Sequence, residues 1–216
     1  MINLLFESLQ NILDLGGPVV LLMIGLSILV TTVSLYKFWQ YAASGVGRHA
    51  HLKSAIEAWD VGDRSVAQAA LSASKSYLAP VVRMAIEGQK DTQRLEAESE
   101  TRFAKLESGF RLLDSVAQLA PLLGLFGTVL GMISAFQALQ EAGSQVDPSI
   151  LAGGIWVALL TTAVGLAVAM PTALILSWLE SRMDRERVFA QKALQTILSP
   201  EGTAPAPNVE MAHAHA

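Results

Sequence analysis

The sequence predicts an all-α integral membrane protein, with three transmembrane helices, long cytoplasmic helical extensions and an oligomeric state. Three observations carry this. The 216 residues are 52% hydrophobic and only 16% charged, against roughly 25% charged in an average soluble domain. The apolar residues are also concentrated: 15–36, 115–140 and 148–179 contain no charged side chain, giving runs of 22, 26 and 32 residues. A bilayer core needs about 20 apolar residues of helix, so each run is long enough to span. Lastly, positive charge is confined to two windows. Eleven of the fifteen Lys and Arg fall between Lys37 and Arg111, and four between Arg182 and Lys192. The positive-inside rule then places the N-terminus and 141–147 outside, with 37–114 and the C-terminal segment in the cytoplasm.

Taken in order, residues 1–15 carry Phe6, Leu9, Ile12 and Leu13 at helical spacing, the pattern of a short interfacial helix. Gly16-Gly17-Pro18 breaks it and opens the first span, 16–36, since proline suits a first helical turn. With only Glu7 and Asp14 as charges before it, this run lacks the basic n-region of a secretory signal. Tyr36, Lys37, Phe38, Trp39 and Tyr41 form an aromatic and basic belt at its cytoplasmic end. In the cytoplasmic part, 37–114, Asp63 is placed to cap "RSVAQAAL". Pro80 is placed to start "VVRMAIEG", which Gly88 closes. From Thr92 one continuous helix is expected to run into the second span, with Phe103, Leu106, Phe110 and Leu113 as a narrow apolar stripe.

The second span, 115–140, is joined to the third, 148–179, through the short outer loop 141–147. A charged helical extension, 180–198, follows, and then a Pro- and Ala-rich stretch, 199–216, expected to be a disordered tail. Small residues recur in both later spans: Gly124, Gly127 and Gly131 in one, Gly154, Ala158, Gly165 and Ala169 in the other. Lipid gives small faces no advantage, whereas close helix contact does, so these are read as helix-packing positions and as pointing to an oligomer. Pro121 and Pro171 are the expected kinks.

No cysteine is present, which excludes disulfides, thiol nucleophiles and cysteine metal sites. The soluble parts hold no phosphate-cradling glycine loop, nucleophile elbow or paired carboxylates. No catalytic residue, cofactor or nucleic-acid partner is therefore assigned. "HAH" at His49–His51 and His213–His215 lacks the third and fourth ligands of a metal site; both pairs are expected in solvated loop or tail. The remaining chemistry lies inside the membrane. Thr128 sits at the middle of the second span, and Thr161 and Thr162 sit near the middle of the third. Because the spans run antiparallel, the hydroxyls reach one depth, the arrangement of a polar ring around an interior cavity. An ionisable group at that depth is functional by default, and this chain has none. Any titrating acid must come from another chain.

"LAPLLGLFGTVLGMISAFQAL", followed by "DPSILAGGI" and "ALLTTAVGLAVAMP", resembles the MotA/TolQ/ExbB proton-channel family, the ExbB-type branch most closely. The resemblance implies a bacterial inner-membrane complex with a periplasmic N-terminus: a pentamer of this subunit around a dimer of a single-span ExbD-like partner. The partner's aspartate sits in the pore, and its motion drives a TonB-like protein that opens outer-membrane transporters. It implies pore-lining roles for Thr128 and Thr162, with Thr161 as neighbour. Where many relatives carry a glutamate, this chain has Val157, in "GIWVAL". A TolQ-like role in envelope maintenance and a non-conducting membrane scaffold are the alternatives.

Overall fold

The computed structural model describes residues 2–142 and 148–203. Among them are seven α-helices and no strand: α1 (Ile2–Ser44), α2 (Ala50–Asp60), α3 (Arg64–Ala73), α4 (Ala79–Ile86), α5 (Thr92–Glu107), α6 (Phe110–Glu141) and α7 (Pro148–Leu198). Three of them, α1 from Gly17, α6 and α7, are long and apolar enough to cross a membrane. The chain divides into two units. One comprises 1–37 with 109–180, the other 38–108 with 181–216.

In the first unit α1 is interrupted at Gly17, whose φ of 65° and ψ of −170° lie in a region that only glycine enters freely. Pro18 follows and begins the spanning part, as its preset φ favours. The three long helices meet around Met23, Ala120 and Ala169, with Leu26, Leu123, Val164 and Val168 packed against them. Large apolar side chains such as Ile28, Leu125, Phe126 and Leu174 point outward instead. That pattern is unfavourable in water and ordinary in hydrocarbon. Both α6 and α7 run through Pro121 and Pro171 as single helices.

The second unit is a cluster of short helices, α2 to α5, joined by the end of α7. Asp63 caps α3 by accepting from the Val66 N–H, Pro80 lies in the first turn of α4, and Asp91 caps α5 through the N–H groups of Gln93 and Arg94. Leu52, Leu78, Leu95, Phe103, Met183 and Leu194 fill its interior, each contributing roughly 1.5–3 kcal/mol of burial energy. Arg187 of α7 pairs with Glu107 at 2.7 Å and Glu100 at 3.4 Å.

Three expectations need correction here. The helix from Thr92 does not continue into the second span. It stops at Ser108 and restarts after Gly109, which adopts a φ of 93°. Phe103 and Leu106 are thus buried in one unit and Leu113 in the other. Gly109→Ala is expected to cost about 1–2 kcal/mol, the penalty of left-handed backbone for a residue with a Cβ. Thermal unfolding of the full chain in detergent measures it. The start of the expected tail is also ordered: Glu201–Thr203 form a 3₁₀ turn, and the Glu201 N–H donates to Asp60 Oδ1 at 2.9 Å. His213 and His215 lie outside the described residues.

His49 is the third correction. Rather than solvated, it is stacked on Phe189 at 4.5 Å between ring centroids. Its Nε2 lies 2.6 Å from Glu186 Oε2, and its Nδ1 lies 3.0 Å from Ser76 Oγ. Tyr77 Oη donates to the same Glu186 oxygen at 2.8 Å, and Arg182 approaches the other at 4.0 Å. Glu186 is 3% exposed and lies beyond the uncharged stretch of α7. Burial alone pushes its carboxyl up, but the hydrogen bonds from His49 and Tyr77 outweigh this and hold it below the usual glutamate value. Burial, and then the Glu186 charge, push Tyr77 up. A depressed carboxylate contributes stability that is complete above its ordinary value, 4.5, and is lost as pH falls through the lower folded value. The chain should therefore lose thermal stability below about pH 4.5, with Glu186→Gln flattening that loss. Glu186→Ala should cost about 3 kcal/mol at neutral pH, because it strips a buried cluster of its anion.

Candidate functional site: the seam between two spans

Two helices approach closely only where neither carries bulk, and α6 and α7 place small residues opposite one another along their length. A Cβ built on Gly165 would lie 2.7 Å from the Ala120 carbonyl oxygen and 3.1 Å from Gly124 Cα. On Gly124 it would lie 3.0 Å from the Thr161 carbonyl oxygen, and on Gly131 3.3 Å from Ala158 Cα. On Gly154 it would overlap Ala135 Cβ. Ala158 and Ala169 are buried in the same region. The small faces therefore meet within one chain, and they are not by themselves a sign of an oligomer.

This packing sorts the three threonines. Thr161 is 1% exposed, wedged against Gly127, where an added Cβ would lie 2.7 Å from both its Cβ and its Oγ1. Its hydroxyl donates to the Ala158 carbonyl at 2.7 Å, with the Gly124 carbonyl at 3.3 Å. Thr162 and Thr128 are partly exposed. The Thr162 hydroxyl donates across the seam to the Gly124 carbonyl at 3.4 Å, and that of Thr128 donates to its own Leu125 carbonyl at 2.6 Å. Gly124 thus supplies one carbonyl approached by both Thr161 and Thr162, a role that the sequence pattern did not single out.

Val157 belongs to a different surface. It lines a cavity of about 320 Å³ with Pro18, Gly131, Ser134, Gly153 and Thr161, while Thr128 and Thr162 do not line it. Five residues separate 157 from 162, about 140° around a helix, so the two positions flank the seam on different sides. With valine at 157 the cavity is mainly apolar, Ser134 and Thr161 being its hydroxyl-bearing lining residues. No Asp, Glu, Lys or Arg lies between 115 and 140 or between 148 and 179.

Comparison with known proteins bears on this arrangement. A family model described as the MotA/TolQ/ExbB proton channel family matches residues 59–192. A biopolymer transport protein of Synechocystis sp., named ExbB-like 1, is 31% identical over 79% of this chain and 70% of its own length. Biopolymer transport protein exbB1 of Vibrio cholerae is 40% identical over 43% of this chain and 41% of its own. The Tol-Pal system protein TolQ of Haemophilus influenzae is 40% identical over 37% of this chain and 34% of its own. The chain thus spans well under half the length of the latter two relatives.

Proposed function

From its membership in the MotA/TolQ/ExbB proton channel family, we propose that the chain is an ExbB-type subunit of an inner-membrane proton channel. In this reading several copies, a pentamer, surround a dimer of a single-span ExbD-like protein. Proton-motive force protonates that partner's intramembrane aspartate, and the resulting motion powers TonB-dependent transport at the outer membrane. Thr128 and Thr162 line the path, whereas Thr161 serves the seam. The N-terminus is periplasmic, and 38–108 together with 181–216 are cytoplasmic, where thirteen of the fifteen basic residues fall, Lys37 and Arg111 lying just outside these ranges. No bond-making chemistry is assigned to the chain.

The observation that carries this reading is a pair of partly exposed hydroxyls beside the seam, in spans that hold no titratable group of their own. Such a face is complete only with an acid brought by another chain. A TolQ-type role in envelope maintenance is the second reading, favoured by the similarity to the Haemophilus protein.

Native mass spectrometry of the complex, gently extracted from its own membrane, tests the proposal. Several copies holding a small single-span protein with an intramembrane aspartate are the expected result. Copies alone, or with a partner lacking any such acid, would leave the path without a proton carrier and favour a scaffold.

A further inference from the structure

In the second unit, the turn that joins α1 to α2 is seated on α7 by groups that respond to a proton. Arg182, Glu186 and Phe189 follow one another on α7 at spacings of four and three, which sets them on one face. The Arg182 guanidinium donates to the Val46 carbonyl at 3.3 Å and fills the space that a Cβ on Gly47 would need. Glu186 holds His49 at Nε2, and Phe189 stacks on the same ring. A carboxylate has only lone pairs, so Nε2 carries the hydrogen between His49 and Glu186. Nδ1 faces Ser76 Oγ at 3.0 Å, and a hydroxyl can either give or take a hydrogen. The ring can therefore take up a second proton at Nδ1 and keep both bonds. Only its charge changes, beside a carboxylate that little water screens, the two side chains being 11% and 4% exposed.

The other groups around the seat do not change with pH in the same range. Arg182, 4.0 Å from the second Glu186 oxygen, is an arginine and carries its charge throughout. Tyr41 at the end of α1 and Tyr77 before α4 are phenols, a type that ionises near pH 10. Arg102 reaches from α5 to the Tyr77 carbonyl and is paired with Glu98. The N-terminus of α2, where His49 sits, opposes a cation, but with about half a charge against the full charge of the carboxylate. Among the described residues at the seat, His49 is thus the one whose side-chain type ordinarily changes charge between about pH 5 and 8.

We propose that His49 and Glu186 form a proton-operated latch, which grips the α1–α2 turn when the imidazole is charged and lets it loosen when that proton leaves. The seated turn holds the cation beside an anion, and the loosened turn does not. Closure therefore takes up a proton, is favoured as pH falls and weakens as pH rises through the imidazole range. In acid the grip fails again, because Glu186 then loses the charge that holds the ring. The inference stands on the second unit alone and does not need the channel reading. On that reading, this unit faces the compartment that receives the protons, and transport itself tightens the latch.

The test is amide hydrogen exchange of the full chain in detergent, corrected for the intrinsic effect of pH and read by mass spectrometry. The Val46 and Arg48 amides, which bond within the turn to the Tyr41 and Gly45 carbonyls, report the latch, and α5 serves as reference. Protection of 41–52 should fall about tenfold from about pH 6 to about pH 8, the effect of one unit in proton affinity, while α5 stays constant. His49→Gln keeps a donor for Glu186 but cannot be charged, so it should remove this dependence and leave α5 protected. Glu186→Gln takes away the anion and should flatten or reverse it. A wild-type turn whose protection is constant over this range overturns the proposal, as does a change that α5 shares equally. So does a dependence that persists in His49→Gln. Should a variant lose α5 protection as well, the wild-type profile of the turn against α5 decides.

Discussion

Gly165→Ala is expected to destabilise the membrane-spanning unit by about 3 kcal/mol, the upper end of what overpacking costs. The new methyl would lie 2.7 Å from the Ala120 carbonyl oxygen and 3.1 Å from Gly124 Cα. Both are backbone atoms of a facing helix, so no side chain can swing aside, and α6 and α7 must separate. Separation would also loosen the Met23–Ala120–Ala169 core beside it. Gly153→Ala is the matched control, since its added Cβ meets nothing within 4 Å and alanine is the better helix former. Gly127→Ala offers a reciprocal case. Its obstacle is the Thr161 side chain at 2.7 Å, so adding Thr161→Gly should recover part of the loss. Thermal unfolding of the full chain in detergent reads all four. A Gly165→Ala chain as stable as Gly153→Ala would mean that the two helices do not approach as described.

Thr162→Val should leave the complex assembled and reduce energy coupling at least tenfold, a factor that corresponds to about 1.4 kcal/mol. The change is nearly isosteric. The bond it removes, to the Gly124 carbonyl at 3.4 Å, belongs to a class that averages only about 0.6 kcal/mol inside membranes. Folding should therefore barely register the loss, whereas on the proposed channel reading the path loses one of its two hydroxyls. Coupling is read as proton-motive-force-dependent uptake through an outer-membrane transporter, beside the amount of assembled complex. Normal uptake would reduce Thr162 to a residue that only bonds its neighbouring helix. Reduced assembly would point to packing in place of conduction.

Features that depend on local rules were legible in the sequence. Charge-free length identified the spans, Gly16-Gly17-Pro18 the interruption before the first, and Asp63 and Pro80 the starts of two short helices. What escaped depends on tertiary partners. Glu186 and His49 lie 137 positions apart, and no spacing rule joins them; a lone carboxylate on a charged helical segment reads as solvated until its neighbours are known. Ser108-Gly109 escaped because one glycine within a helical pattern is compatible both with a continuing helix and with a break. The separation of Val157 from Thr162 was, by contrast, available from the sequence. Five residues along a helix set two side chains on different sides of any seam between them.

The glycine joint after α5 has a consequence for length variation. The chain passes between its two units at 37/38, 108/109 and 180/181, and at the first and last of these it is inside a continuous helix. One residue inserted there advances every later side chain of that helix by about 100°, moving buried positions such as Tyr41 or Met183 off their contacts. At 108/109 the backbone is already out of helical register, so an added residue can be taken up in the bend without changing the phase on either side. Gains and losses of single codons should accumulate at this one crossing and be purged at the other two.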